Sequence, residues 1–160
     1  MAHQTMVLYE QELQQMAALC KRLLLEAHAK AVLLVDKNGQ FITSHGDTHN
    51  LDTTSLASLT AGNIAATSGL ARLIGEEDFP NVFHEGARES LHLSLVAQRA
   101  ILVVVFDKRS SLGLVRLRIK RCLEELATVF ATMVQKAASE ARSSPFDEIT
   151  DHDIDNLFGE

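Results

Sequence analysis

Apolar positions recur along this chain with two periods, and the switches between them mark out eight elements. Residues 8–29 place Tyr9, Leu13, Met16, Cys20, Leu23 and Ala27 three or four apart, the spacing of one face of an amphipathic helix. Ala31 to Val35 is a short continuous apolar run and predicts a buried strand. Asp36-Lys37-Asn38-Gly39 signals a tight reversal, because asparagine and glycine tolerate positive φ, and residues 40–44 return as a second strand. A loop leads to Asp52 or Thr53, either able to cap a central helix that Gly75 ends. Pro80 blocks further helix, and residues 81–85 predict a short strand turning at Gly86. Residues 90–96 alternate, with Leu91, Leu93 and Leu95 on one side and His92 and Ser94 on the other. Residues 100–106 are continuously apolar and β-branched, as in a central strand covered on both faces. Helical spacing returns over residues 112–141 through Val115, Ile119, Cys122, Leu126, Val129 and Met133, and Ser143-Ser144-Pro145 ends it.

The order α-β-β-α-β-β-β-α predicts an α+β fold, a three-layer sandwich whose five-stranded, mostly antiparallel sheet carries helices on both faces. The strand holding Val82, Phe83 and His84 is short and expected at an edge, where unpaired backbone invites another chain. The expected consequence is a homodimer formed by sheet continuation, with the two central helices side by side.

The central helix has a bare stripe. Ala57, Ala61, Ala65 and Gly69 recur every fourth position, while Leu56, Leu59, Leu70, Leu73 and Ile74 are expected on the core side. Such a face has little side-chain entropy to lose and lets another surface approach the backbone. The same alanines would also serve helix propensity, or sit beneath another element of this chain.

Composition narrows the function classes. With 46% hydrophobic and 22% charged residues, the chain reads as one soluble globular domain. No apolar run reaches the roughly 20 residues of a membrane span, and no signal-peptide order opens the chain. Cys20 and Cys122, both on predicted helix faces, read as reduced core thiols of a cytosolic protein. The net charge of −6 sits in the last sixteen residues, whose six acids face no Lys or Arg; the body is formally neutral. Without a basic surface or stacking aromatics, nucleic acid is not an expected partner.

Candidate chemistry is sparse. No Gly-Lys-Ser/Thr follows a strand and no G-x-G-x-x-G appears, so a nucleotide-hydrolysing P-loop is not expected. His45, Asp47 and His49 are close in a loop, but without a second cluster they read as surface residues rather than metal ligands. His84 and Glu85 read as polar strand contacts. Arg116, Arg118, Lys120 and Arg121 crowd the last helix after Lys108-Arg109. Lys120 with Glu124 and Arg121 with Glu125 give i,i+4 pairs, so this is read as a solvated face, with an anion or acidic partner as the alternative. The acidic tail carries Ile154, Leu157 and Phe158 at one helical face, the pattern of a segment that folds into a partner's groove.

Four stretches carry a resemblance. LVDKNGQ at 34–40, LASLTAGNIAATSGLARLIGE at 56–76, FHEG at 83–86 and SLGLVRLRIKR at 111–121 resemble the Roadblock / dynein light chain family, and within it the bacterial polarity regulators; DIDNLF in the tail is also similar. The resemblance implies a Roadblock/profilin-like domain over residues 6–141, an acidic tail over 142–160 and no cofactor. It implies a cytoplasmic homodimer, at a cell pole, joined through the third strand. One dimer would engage one small Ras-like GTPase in its GTP-bound state and act as its activator without supplying a catalytic arginine. The docking face it implies is Ala61, Ala65 and Gly69 with Ile64, Ser68 and Arg72, and the tail would add a second contact that influences nucleotide exchange. A non-catalytic scaffold of the same build is the competing expectation.

Overall fold

The structure, a computed structural model, describes residues 8–143, so Ile154, Leu157 and Phe158 lie outside the described residues. Eight elements follow in the expected order: α1 (Glu10–Glu26), β1 (Ala31–Asp36), β2 (Phe41–Gly46), α2 (Thr53–Leu73), β3 (Asn81–Glu85), β4 (Ser90–Val96), β5 (Ala100–Phe106) and α3 (Leu112–Arg142). The sheet runs β2-β1-β5-β4-β3, and every neighbouring pair is antiparallel. The apolar run of β5 thus occupies the centre, and the strand of Val82, Phe83 and His84 lies at an edge, as expected.

Strand alternation divides the interior into two cores. Val32, Leu34, Leu102, Val104 and Phe106 pack with Met16, Cys20 and Leu23 of α1 and with Val115, Ile119, Leu126 and Phe130 of α3. Ala31, Leu33, Val35, Leu93, Ile101, Val103 and Val105 turn the other way and pack beneath α2. Each fully buried leucine stabilises the fold by roughly 1.5–3 kcal/mol.

Local chemistry fixes the joints. Asp52 caps α2, its carboxylate accepting from the Ser55 amide at 3.1 Å and from the Ser55 hydroxyl at 2.6 Å. At the other end the Gly75 amide donates to Arg72 and the Glu76 amide to Ala71, while Gly75 sits at φ +85°, a left-handed stop. In the turn of the first hairpin only Gly39 takes a positive φ, and the Asn38 amide is held by Asp36 Oδ1 at 2.6 Å.

α1 and α3 are pinned together by polar ties along their length. Arg22 reaches Glu125 at 2.6 Å, Tyr9 donates to Glu140 at 2.7 Å, and Lys136 bonds Glu12, a carboxylate only 1% exposed. Lys136 holds the Glu12 carboxyl below its ordinary range. Near the Arg22–Glu125 tie Cys20 and Cys122 are buried and free. Burial pushes the Cys122 thiol up to about 11 and raises Cys20 further.

The β4–β5 reversal is made by Ala97 and Gln98, both exposed and both left-handed at φ 51° and 57°. Side chains resist this region, which asparagine and glycine occupy readily. Ala97→Asn combined with Gln98→Gly is expected to stabilise the protein by about 1–2 kcal/mol, read as a melting-temperature rise of about 2–6 °C.

Candidate functional site

The candidate docking helix, α2, is turned differently from expectation. The residues against the sheet are Ala57, Thr60, Ile64, Ser68 and Ala71. Leu59 and Leu73, expected on the core side, are 73% and 83% exposed, and Leu70 and Ile74 are exposed with them. The cause is helical period. An α-helix advances about 100° per residue, so positions four apart drift by about 40° at each step. The line from Ala57 therefore spirals outward: Ala57 is buried, Ala61 half-buried, and Ala65 and Gly69 exposed. The buried series instead mixes steps of three and four, which holds one direction.

Two docking candidates are corrected by this rotation. Ile64, 1% exposed, belongs to the core under α2, where a partner cannot reach it. Ser68 is also buried, and its hydroxyl donates to Asp78 Oδ1 at 2.6 Å; the same oxygen accepts from the Phe79 amide. Ser68 thus ties down the loop after α2. Ala61 is small for a reason internal to the chain: a Cβ on Gly39 would stand 3.3 Å from Ser58 Cα and 3.6 Å from Ala61 Cβ. The tip of the β1–β2 hairpin leans on this flank.

The exposed half of α2 falls into two sectors by helical spacing. Ser58, Ala65 and Gly69 form a sector of small side chains, beginning beside the hairpin tip and bordered by Arg72, all of them exposed. Nothing lies within 4 Å of a Cβ placed on Gly69, so that backbone is open to approach. Leu59, Ala66, Leu70 and Leu73 form a second, apolar sector on the flank away from the hairpin. Exposed apolar patches of this kind mark contact surfaces. At the sheet edge, Val82 joins the core under α2, Phe83 stacks on Phe106 with centroids 6.1 Å apart, and His84 is exposed.

Other candidates resolve individually. His45 contacts Thr43 Oγ1 at 3.1 Å, and burial then Lys21 lower its affinity for a proton. Among the described residues no group of three His, Cys, Asp or Glu side chains is placed to hold a metal ion. His84 and Glu85 are adjacent strand residues and so face opposite sides. Arg109 grips Asp107 at 3.0 Å and holds that carboxyl below its usual range. Arg121 pairs with Glu125 at 3.0 Å as expected. Lys120 does not pair with Glu124; with Arg116 it lines a cavity against the sheet.

Fold and surface together define the class: a three-layer α/β/α sandwich of Roadblock/profilin type, with an open sheet edge and an exposed apolar helix face. The family model for the Roadblock/LC7 domain matches residues 15–106. Myxococcus xanthus MglB is 60% identical, covering 79% of this chain and 96% of its own, with a TM-score of 0.76. The gliding protein MglB of Thermus thermophilus is 33% identical over 82% of this chain and 99% of its own, also at a TM-score of 0.76. Profilin IA of Acanthamoeba castellanii, 10% identical with a TM-score of 0.52 over 70% of this chain and 96% of its own, shares the fold alone. A comparison with curated protein sequences returns no match. The chain belongs to the Roadblock/LC7 family.

Rotation of α2 predicts opposite outcomes for neighbouring residues. Ile64→Arg is expected to lower stability by about 4 kcal/mol or more, whereas Ala65→Arg leaves the denaturation midpoint nearly unchanged. Ser68→Ala is expected to cost about 1–2 kcal/mol. Urea unfolding of the three variants checks all of these.

Proposed function

We propose that this protein is an activator of a small Ras-like GTPase of the MglA type, working as a homodimer in the control of polarity and motility. The observation that carries the reading is the exposed face of α2, whose small and leucine sectors lie side by side on one helix. The extent of similarity to MglB proteins, one of them a gliding protein, supports the same assignment.

The two sectors suit two contacts. The leucine sector faces away from the β1–β2 hairpin, hence toward the β3 edge, where a second copy would add its own edge strand. Leu59, Leu70 and Leu73 of two copies then pack against each other. The small sector of Ala65 and Gly69, with Arg72 and Ala61 at its margins, remains outward and offers close backbone approach to the GTPase switch regions. Two such sectors related by a twofold axis form one platform for one GTPase.

Activation requires orienting water and stabilising transition-state charge at the partner's phosphate. Arg109 is committed to Asp107, while Arg72 and Arg99 are exposed. In the proposed mechanism none is a finger: the platform reshapes the switch regions so that the GTPase's own groups do the chemistry. The tail residues Ile154, Leu157 and Phe158 would add a second contact. A place in the cytoplasm at a cell pole follows from the same reading; among the described residues no helix is long and apolar enough to cross a membrane.

GTP turnover by the partner GTPase, with and without this chain, tests the assignment. Ala65→Arg and Gly69→Arg are each expected to abolish acceleration while the fold survives. If both accelerate like the parent, the docking sector is misassigned. Alanine at Arg72, Arg99 or Arg109 should produce no single loss on the order of 10³-fold, the signature of a finger. Binding with no change in turnover would instead favour a scaffold.

Sedimentation separates the second contact from the first. Leu59→Glu with Leu70→Glu is expected to yield monomers, since facing carboxylates desolvate at cost. Ala65→Arg should remain dimeric.

A further inference from the structure

Across the sheet from α2, between α3 and the β3–β4 end, lies a cavity of about 380 Å³ lined by Asn81, His92, Arg116, Ile119, Lys120 and Leu123. His92 is only 1% exposed, and its Nδ1 lies 3.2 Å from Ser94 Oγ. The Ser94 hydroxyl donates to Asn81 Oδ1 at 3.0 Å. With the serine proton spent on Asn81, the hydrogen-bond chain assigns the ring proton to Nδ1, which donates to Ser94. Nε2 is then a lone pair, buried and without a partner among the described residues. Such an atom is unfavourable unless something meets it.

Two cations stand over the same space. Arg116 and Lys120 are four apart on one side of α3, and among the described residues neither is paired with a carboxylate. Burial first, and Arg116 second, keep the imidazole neutral and its pKa below the ordinary value. Among the described residues no acid lines the cavity to balance them.

We propose that this cavity binds an oxyanion, gripped by Arg116 and Lys120 and by His92 after that ring takes a proton from solution at Nε2. Protonation needs no rearrangement. Nδ1–H continues to donate to Ser94, while the new Nε2–H donates to the anion. The anion supplies the negative charge that three cations in one cavity require, so binding and proton uptake strengthen each other. Because the anion raises the proton affinity of His92, its own affinity rises as pH falls through the histidine range. The oxyanion can come from solution or from the chain's own acids Asp147, Glu148, Asp151, Asp153, Asp155 and Glu160. The site lies opposite the α2 face and is independent of the GTPase reading.

Inorganic sulfate keeps its charge over the range in which histidine titrates and serves as the probe. It is added to the full chain at constant ionic strength while the ring nitrogens of His92 are followed by NMR. A saturable shift with a Kd of about 1 mM or below is expected, tighter at lower pH, with the His92 midpoint raised by about one pH unit or more. Arg116→Gln with Lys120→Gln, both exposed and dispensable to the core, should weaken sulfate by about tenfold or more. Arg118→Gln with Arg121→Gln removes equal charge from the other side of α3 and should leave the affinity close to that of the parent. A flat His92 response, or equal loss in the two double variants, overturns the site. Converting the six tail acids to amides identifies the natural source while sulfate still binds. A lower sulfate-free midpoint assigns the ligand to the tail, and an unchanged one to a free anion.

Discussion

Three adjacent strands that are dry on both faces impose the rest of this architecture. All residues of β1 and β5 are buried, and most of β4 with them. A sheet of this kind must be covered twice. On one side α1 and α3 share the work and use large side chains; on the other, α2 serves the centre alone. It packs close to the sheet through Ala57, Thr60, Ile64, Ser68 and Ala71, and Leu59, Leu70 and Leu73 are left outside. The closeness that completes the second core is what creates an apolar ridge.

Much of the fold was legible because its signals are local. The uninterrupted run at 100–106 marked the central strand, Asp36 to Gly39 marked the hairpin, and Asp52 and Gly75 bounded α2. The rotation of α2 was not legible. Apolar residues lie nearly all round that helix, so periodicity offers no single face, and a four-residue repeat drifts round the axis instead of holding one line. The Ala97-Gln98 reversal carries no turn residues; only the pairing of its flanking strands reveals it. Lys136 and Glu12 meet from 124 positions apart, beyond the reach of spacing arguments.

The candidate site divided along the same boundary. Ala65 and Gly69 were legible from spacing alone because they lie where the four-residue line emerges into solvent, whereas Arg72, exposed beside them, came only with the resemblance. Ile64 and Ser68 were assigned with them through resemblance, and their burial needed the sheet to be in place. Leu59, Leu70 and Leu73 were expected on the core side because leucines on a helix are read as core by default, and they lie outside it. His92 was correctly turned away from the β4 leucines, yet its unpaired nitrogen becomes meaningful only with α3 laid above it.

The sulfurs of Cys20 and Cys122 remain protonated near neutrality, shielded between α1 and α3. Thiols in that state are poor nucleophiles. A reporter cysteine introduced on the outer surface of α2 would therefore be the single site to take a maleimide dye or a nitroxide. Distances between two copies, or between a copy and a labelled GTPase, become measurable without first removing the native pair.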